Sequence, residues 1–325
     1  MIRDVFLVQP IHEAGVARLR EAGLAVRAAT RGDMATVAAE VGTADAVVTR
    51  NAGLSAAAID AAPRLELIVV HGVGYDPVDV THAAARGILV CNTPVANAWS
   101  VAEHAIALLL ALAKATLAAD RAVRAGGFDA RYTLRLTELR GRTLGIVGCG
   151  RIGRATARIA RAGLGMTVCG HSPTADPARL RRVGIQPCAT LDELLARSDA
   201  VSLHVPLRAE TRGLIGPAEI GRMKPGAFLV NTARGALVDH HALVDALASG
   251  RLGGAGLDVF RQEPVPPDDP LLALPNVVVS PHIAGASDHA MEMTALAVAA
   301  AILQAARGRR PRHVISATAK PRRPD

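Results

Sequence analysis

A glycine-rich turn constrains this chain more than any other stretch. Gly148-Cys149-Gly150-Arg151-Ile152-Gly153 follows the apolar run Leu144–Val147 and opens a helix-compatible stretch, Arg154–Arg161. Alone the GxGxxG pattern is weak; between a strand and a helix it is specific. There Gly148, Gly150 and Gly153 admit a pyrophosphate to the helix N-terminus, whose unbonded N–H groups and dipole favour an anion. The turn predicts a parallel βαβ unit that binds a dinucleotide. Arg151, Arg154, Arg158 and Arg161 fall on one helical face; only Arg151 is expected beside the pyrophosphate, the others forming a solvated stripe. Cys149 reads as a small residue in a tight turn rather than an activated thiol.

Such a turn needs strands around it, and the chain supplies two series. Val5–Gln9, Ala46–Thr49, Leu67–His71 and Ile88–Cys91 alternate with Ala-rich stretches such as Glu13–Ala22. Later come Thr143–Val147, Thr167–Gly170, Ala200–His204, Ala227–Asn231, Gly254–Val259 and Val277–Ser280. Strand–helix alternation implies parallel sheets, and two series within 325 residues imply two domains. Between them Ser100-Val-Ala-Glu103 matches a capping box, so a long helix is expected to start at Ser100. It is apolar on every face through Ala113 and is expected at a domain or subunit junction. A last helix, about Ala290–Ala306, has no later strand to join and is expected to pack back on the first domain. The expected architecture is α/β, with two doubly wound parallel sheets. A Rossmann-type dinucleotide-binding domain, residues 100–287, is inserted in a discontinuous flavodoxin-like substrate domain, residues 1–99 and 288–325.

Composition removes other classes. Hydrophobic residues make up 50% and charged residues 20%, enough to fill two cores and unlike a disordered chain. The longest unbroken apolar stretch, Ala105–Ala113, is far short of the roughly 20 residues that span a bilayer, and Val5–Val8 is shorter than a signal-peptide core. No membrane span and a cytoplasmic location are expected. Cys91, Cys149, Cys169 and Cys188 form no CxxC pair, which predicts neither disulfides nor a zinc site. The net charge of +8 is concentrated in Arg307–Asp325, where seven Lys/Arg stand against one Asp. That reads as a solvated tail, and with aromatic residues at 2% a nucleic-acid partner is not expected. His240 and His241 are adjacent on a helix and do not converge, so no metal site is expected.

The strand after the glycine turn ordinarily ends in an acid that bonds the adenosine ribose, about 20 residues beyond the fingerprint. Here Thr167–Gly170 runs into His171-Ser172-Pro173, so a hydroxyl stands where a carboxylate would repel a 2′-phosphate. NAD and NADP are both admissible, with a slight lean to NADP; Arg179, Arg181 and Arg182 read as a solvated helix face.

Three further groups each follow a β-rich run: Arg234 in Asn231-Thr-Ala-Arg-Gly235, Glu263 in Arg261-Gln-Glu-Pro264, and His282 in Ser280-Pro-His282. Ligands of open α/β sheets bind at strand C-termini. Reduction of a 2-keto acid needs a proton donor, which His282 could be, and a nearby Glu263 would favour its charged imidazolium. Arg234 could grip the substrate carboxylate by a two-pronged bond while polarising the carbonyl.

Longer ordered motifs surround these residues: His71 to Asp79, Thr93 to His104, the glycine turn, His204-Val-Pro-Leu207 with Thr211, Met223 to Gly235, Gly256-Leu-Asp-Val-Phe260 and Ser280-Pro-His282. With them the chain resembles the D-isomer-specific 2-hydroxyacid dehydrogenases over about residues 5–312. That family includes phosphoglycerate dehydrogenase, glyoxylate/hydroxypyruvate reductase and D-lactate dehydrogenase. The resemblance implies that Arg234, Glu263 and His282 are catalytic, with His282 as the acid/base. It implies that N–H groups around Val73 and Gly74 grip the substrate carboxylate and that Asp258 contacts the nicotinamide carboxamide. Arg151, Ile152, Ser172 and Thr211 look like further cofactor contacts, and His71, His104 and His204 like structural or pocket-lining residues. A homodimer built around the helix near Ser100 is implied as well. The implied activity is NAD(P)-dependent reduction of a small 2-keto acid such as hydroxypyruvate or glyoxylate. A 3-phosphoglycerate dehydrogenase is the alternative within enzymes, and an NAD(H)-sensing, corepressor-like binding protein the alternative from another class. Trp99, beside the substrate-loop motif, would narrow or reshape the pocket, and a C-terminal regulatory domain is not expected.

Overall fold

The computed structural model describes residues 2–316; Lys320, Arg322 and Arg323 of the basic tail lie outside the described residues. Chain contacts divide the molecule into two units, one made of the described residues up to Asn97 and from Gly285 onward, the other of Ala98–Ala284. The second unit therefore begins at 98 and ends at 284, where the sequence reading put 100 and 287.

The first unit is built on five strands, β1 (Asp4–Leu7), β2 (Ala25–Ala28), β3 (Ala46–Thr49), β4 (Leu67–Val70) and β5 (Leu89–Asn92). They pair in the order β2-β1-β3-β4-β5, all parallel, which is the flavodoxin-like arrangement. β3 and β4, Ala-Val-Val-Thr and Leu-Ile-Val-Val, are buried along their whole length, as parallel strands covered on both faces must be. One face is sealed by Phe6, Val47, Ile59 and Ile68, the other by Leu19, Val48, Val69 and Ile302. β2 escaped the sequence reading because Ala-Val-Arg-Ala has one β-branched residue and a charge. Arg27 earns its place at this edge by bonding the Asp4 carboxylate and lying 4.6 Å over the Phe6 ring.

The helix Asp288–Ala306 belongs to this unit, packed on the helix Glu13–Glu21 and on β4. The crossing needs a glycine: a Cβ at Gly15 would sit 2.6 Å from the Ala295 carbonyl oxygen. By length and composition this 19-residue helix could also cross a membrane, a property that reading only unbroken apolar runs overlooks. Val298, Ala299 and Ile302 are fully buried in the unit's core. Beyond it, Val314 bridges Cys91 in the antiparallel sense and Ile315 N–H donates to the Val90 carbonyl, so these two residues cover the β5 edge.

The second unit carries seven strands: β6 (Thr143–Val147), β7 (Thr167–His171), β8 (Gln186–Pro187), β9 (Ala200–Leu203), β10 (Ala227–Asn231), β11 (Leu252–Leu257) and β12 (Val277–Val279). Their order is β12-β11-β10-β9-β6-β7-β8, every pair parallel, a Rossmann-type sheet whose direction of winding reverses between β6 and β9. β8, two residues long, gave no sequence signal. The helix Ala98–Ala113 lies on β10, β11, β12 and the helix Arg151–Leu164. Gly256 permits this contact, since a Cβ there would stand 2.8 Å from the Leu108 Cβ.

The start of that helix corrects the capping-box expectation. It begins at Ala98, and the Ser100 hydroxyl donates to the Ala284 carbonyl at 2.7 Å instead of capping. A tertiary acceptor has taken the side chain that the local pattern assigned to the helix end. The helix is also not apolar all round, for Glu103 is exposed and His104 half-buried.

Asp45 ties the first unit's sheet at its lower edge. Its side chain is 3% exposed and accepts from the Arg3 and Asp4 N–H groups and the Arg64 guanidinium. Burial pushes its carboxyl pKa up, but these bonds outweigh burial and hold it below the ordinary value. A carboxyl lowered on folding stabilises above its unfolded pKa, and that contribution is lost as pH falls through the folded value. Asp45→Asn is expected to cost about 1–3 kcal/mol at neutral pH and to flatten the acid limb below 3.8, the ordinary value, as urea midpoints across pH would show.

Candidate active site

The glycine turn sits where the sheet reverses its winding. Gly148 has φ of 95°, and a Cβ there would lie 2.6 Å from the His204 carbonyl oxygen just past β9, so only glycine fits. Gly153 lets the helix Arg151–Leu164 press onto the turn, its virtual Cβ falling 2.2 Å from the Gly148 carbonyl oxygen. Gly150 differs: nothing lies within 4 Å of its virtual Cβ, and no side chain caps the helix that starts after it. Open space above an uncapped helix N-terminus suits a pyrophosphate. Arg151 is exposed and Ile152 half-buried at this end. Arg154 corrects the solvated-stripe reading, because its guanidinium donates to the Cys149 carbonyl at 2.8 Å and braces the turn. Arg158 lies 5.8 Å from the ring centre of Trp99, which is 47% exposed. The Cys149 thiol is pushed up to about 11, chiefly by burial, which suits a packing role.

β7 ends at His171, whose Nδ1 is 3.2 Å from the Cys188 carbonyl oxygen, and Ser172 follows half-buried. The Asp176 carboxylate accepts from Ala178 N–H at the start of the helix Pro177–Arg182. Arg179, Arg181 and Arg182 of that helix are exposed. The Thr211 hydroxyl accepts from Arg208 N–H and donates to the Pro206 carbonyl, which closes its own turn.

The titratable groups gather at the ends of β10, β11 and β12. Asn231, the last residue of β10 and 1% exposed, shapes the Arg234 loop: its Nδ2 donates to the Arg234 carbonyl and its Oδ1 accepts from Ala233 N–H. Gly235 then passes so close to Phe260 that a Cβ would fall 2.0 Å from its carbonyl carbon, which seats the Arg234 loop on the Glu263 loop. Glu263 Oε1 accepts from Phe260 N–H at 3.0 Å, and its Oε2 lies 2.7 Å from His282 Nδ1. Burial pushes the Glu263 carboxyl up, but the bonds from His282 and Phe260 and the charges of His282 and Arg234 bring it below its ordinary value. With Nδ1 facing a carboxylate, Nε2 is the ring nitrogen that can exchange a proton with a ligand. His282 has φ of 55°, left-handed for a residue with a side chain, and its N–H donates to the Asp258 carbonyl at 2.9 Å.

Asp258 is completely buried. Its Oδ1 accepts from the Ser280 hydroxyl and Ile283 N–H, its Oδ2 from Ala284 N–H. Asn231 and Asp258, each buried at a strand end, hold the two loops, and the sequence reading gave neither this task. A buried polar residue at the close of an apolar strand was the available signal. His204 is paired with the Ser202 hydroxyl at 2.9 Å and burial lowers its pKa to about 4, so it is neutral near pH 7.

In the first unit, Val73 and Gly74 lie in the loop after β4. Asn92 Nδ2 donates to the Val73 carbonyl at 2.7 Å, and Gly72 N–H donates to the Thr93 hydroxyl at 2.8 Å, so this loop is braced from β5. His71 at its head is lowered to about 4 by burial and by the nearby Arg50 charge. Among the described residues no three His, Cys, Asp or Glu side chains gather to hold a metal; His240 and His241 stack edge-on, and His240 is 3.5 Å from Asp269.

Residues 106–284 match the family described as "D-isomer specific 2-hydroxyacid dehydrogenase, NAD binding domain". The chain is 44% identical over 266 residues to a glyoxylate reductase of Korarchaeum cryptofilum, covering 81% of this chain and 80% of the relative. It is 39% identical over 313 residues to a D-3-phosphoglycerate dehydrogenase of Archaeoglobus fulgidus, covering 96% of this chain but 59% of that longer protein. The crystal structure of an NADPH-dependent glyoxylate/hydroxypyruvate reductase from Sinorhizobium meliloti, in complex with NADP and malonate, superposes with a TM-score of 0.88 at 33% identity, covering all of both chains.

The open space at Gly150 makes a separable test. Gly150→Val is expected to leave stability within about 1 kcal/mol, since the position has room and ordinary φ, while weakening NADH and NADPH binding at least about tenfold by blocking the helix end. Fluorescence titration beside a thermal melt separates the two; unchanged affinity would move the dinucleotide elsewhere.

Proposed function

Because this chain belongs to the D-isomer specific 2-hydroxyacid dehydrogenase family, we propose that it interconverts a small 2-keto acid and its D-2-hydroxy acid with NAD(P). The observation that carries this reading is the His282–Glu263 pair at 2.7 Å, with the Arg234 charge acting on Glu263. When bound, the nicotinamide supplies the hydride for reduction. His282 gives a proton from Nε2 to the carbonyl oxygen, so the C=O bond becomes CH–OH as hydride reaches carbon and proton reaches oxygen. Glu263 holds the imidazolium in place and stabilises its charge. Arg234 grips the substrate carboxylate and polarises the carbonyl; in the first unit the N–H groups of Val73 and Gly74 are the substrate contacts we infer.

The cofactor is held at Gly148, Gly150, Arg151, Ile152 and Gly153, with Ser172, Thr211 and Asp258 as further contacts. The second unit is then the dinucleotide-binding domain and the first the substrate domain. Ser172 in place of an acid favours NADP, in keeping with a relative whose structure holds NADP. Glyoxylate or hydroxypyruvate is the substrate we infer, as the reductases among the relatives act on them. We further infer a homodimer. Leu117, Val123, Phe128, Tyr132 and Leu136 are large, apolar and exposed within one short segment, an area that a second copy would cover. Four free, buried thiols fit a reducing, cytoplasmic compartment.

Purified protein is expected to oxidise NADPH faster than NADH with glyoxylate or hydroxypyruvate, and Ser172→Asp to reverse that order. His282→Ala should lower kcat by about 10²–10⁴-fold with cofactor affinity little changed. Near-normal turnover in that variant would remove His282 as the proton donor, and activity confined to 3-phosphohydroxypyruvate would identify a phosphoglycerate dehydrogenase instead.

A further inference from the structure

His282 occupies a backbone conformation that a residue with a side chain adopts only when its surroundings impose it. The surroundings are a single chain of bonds. His104, on the helix Ala98–Ala113, places Nε2 at 2.8 Å from the Ser280 hydroxyl oxygen. Ser280 has one proton, and it goes to Asp258 Oδ1 at 2.6 Å. His104 must therefore donate its Nε2–H to Ser280, which fixes the tautomer and the direction of every bond. Asp258 then receives the Ile283 and Ala284 N–H groups, while its own carbonyl receives that of His282. The successive Ile283 and Ala284 N–H groups thus converge on the carboxylate, and the left-handed turn at His282 presents them to it. The charge of Asp258, fully buried, has no water to fall back on, so these N–H groups, the Ser280 hydroxyl and His104 Nε2, 3.5 Å from Oδ1, supply its compensation.

We propose that His104, Ser280 and Asp258 form a positioning relay that holds the His282 loop in its left-handed turn and so aims the imidazole Nδ1 at Glu263. This rests on the dehydrogenase reading for its catalytic consequence, though not for its geometry. His104 is the informative member, because it bonds neither His282 nor Glu263 and acts on them through Ser280 and Asp258. Its substitution removes one donor from Ser280, frees the hydroxyl to rotate, and leaves the Asp258 carboxylate short of a fixed partner. The loop then samples ordinary backbone conformations in which Nδ1 and Glu263 separate. Gln carries an amide N–H₂ near the position of Nε2 and replaces the donor; Leu does not.

The test compares His104→Leu and His104→Gln with the wild-type chain by two readouts. The first is turnover of glyoxylate and of hydroxypyruvate with NADPH. Leu is expected to lower kcat by about 10²-fold, the cost of a small misplacement, with KM for both ligands within threefold, and Gln to restore most of kcat. The second needs no activity: the downfield Nδ1 proton of His282 bonded to Glu263, seen by NMR and assigned by its loss in His282→Gln, should vanish in the Leu variant and return in the Gln variant. A proton signal and kcat that are both unmoved in His104→Leu would overturn the relay and leave the dehydrogenase reading intact. A Leu variant whose melting temperature falls, with kcat per folded molecule and the signal preserved, would overturn it in favour of a packing role. Wild-type protein without turnover but with a signal that responds to His104 would sink the dehydrogenase reading and uphold the relay.

Discussion

A parallel sheet must be covered on both faces, and that obligation decides where this chain can do chemistry. β3, β4 and β9 are buried at every residue, and β6 and β10 at all but one. A charged side chain along them would be stranded without water. The polar groups are consequently pushed past the strand ends. Ser172 follows β7, His204 follows β9, Arg234 comes three residues after β10, Asp258 directly follows β11 and Ser280 directly follows β12. Burial of the sheet and grouping of the site are thus one constraint seen from two sides.

Within the second unit the glycines extend that constraint. Gly148 and Gly153 bring backbone within the distance a Cβ would forbid, and Gly256 lets Leu108 of the long helix close on β11. Each removes a side chain so that a layer can approach. Gly150 removes one for the opposite reason, leaving room at the helix end. Local sequence cannot tell these uses apart, since all four are the same residue; only the neighbour, or its absence, distinguishes them.

Much of the fold was legible because it is periodic. Buried parallel strands are continuous β-branched and apolar runs, and those of both sheets stand out except β2 and β8, which are an edge strand with an arginine and a two-residue strand. The family was legible for another reason: its motifs lie at strand ends in a fixed order. What stayed hidden depended on partners distant in sequence. Ser100 looked like a cap until Ala284, 184 residues away, supplied a better acceptor. Arg154 looked solvated until the Cys149 carbonyl turned toward it. His104 sat in a quoted motif, yet nothing nearby in the sequence points to Ser280, 176 residues on.

The split of the first unit between the two ends of the chain governs its assembly during synthesis. Residues up to Asn97 leave the ribosome first, but the face of their sheet that holds Leu19 and Val69 is closed by Val298 and Ile302, and the β5 edge by Val314. The second unit is one continuous stretch and can complete its core as soon as Ala284 has emerged. The first unit's strands, made before the second unit, are therefore among the last of these residues to become native, with an open apolar sheet face exposed for the time it takes to translate nearly two hundred residues. Chaperone dependence of this protein should be traced to the strands of its first unit, and a ribosome-bound chain stalled once Ala284 has cleared the exit tunnel should hold a finished second unit while the first is still open.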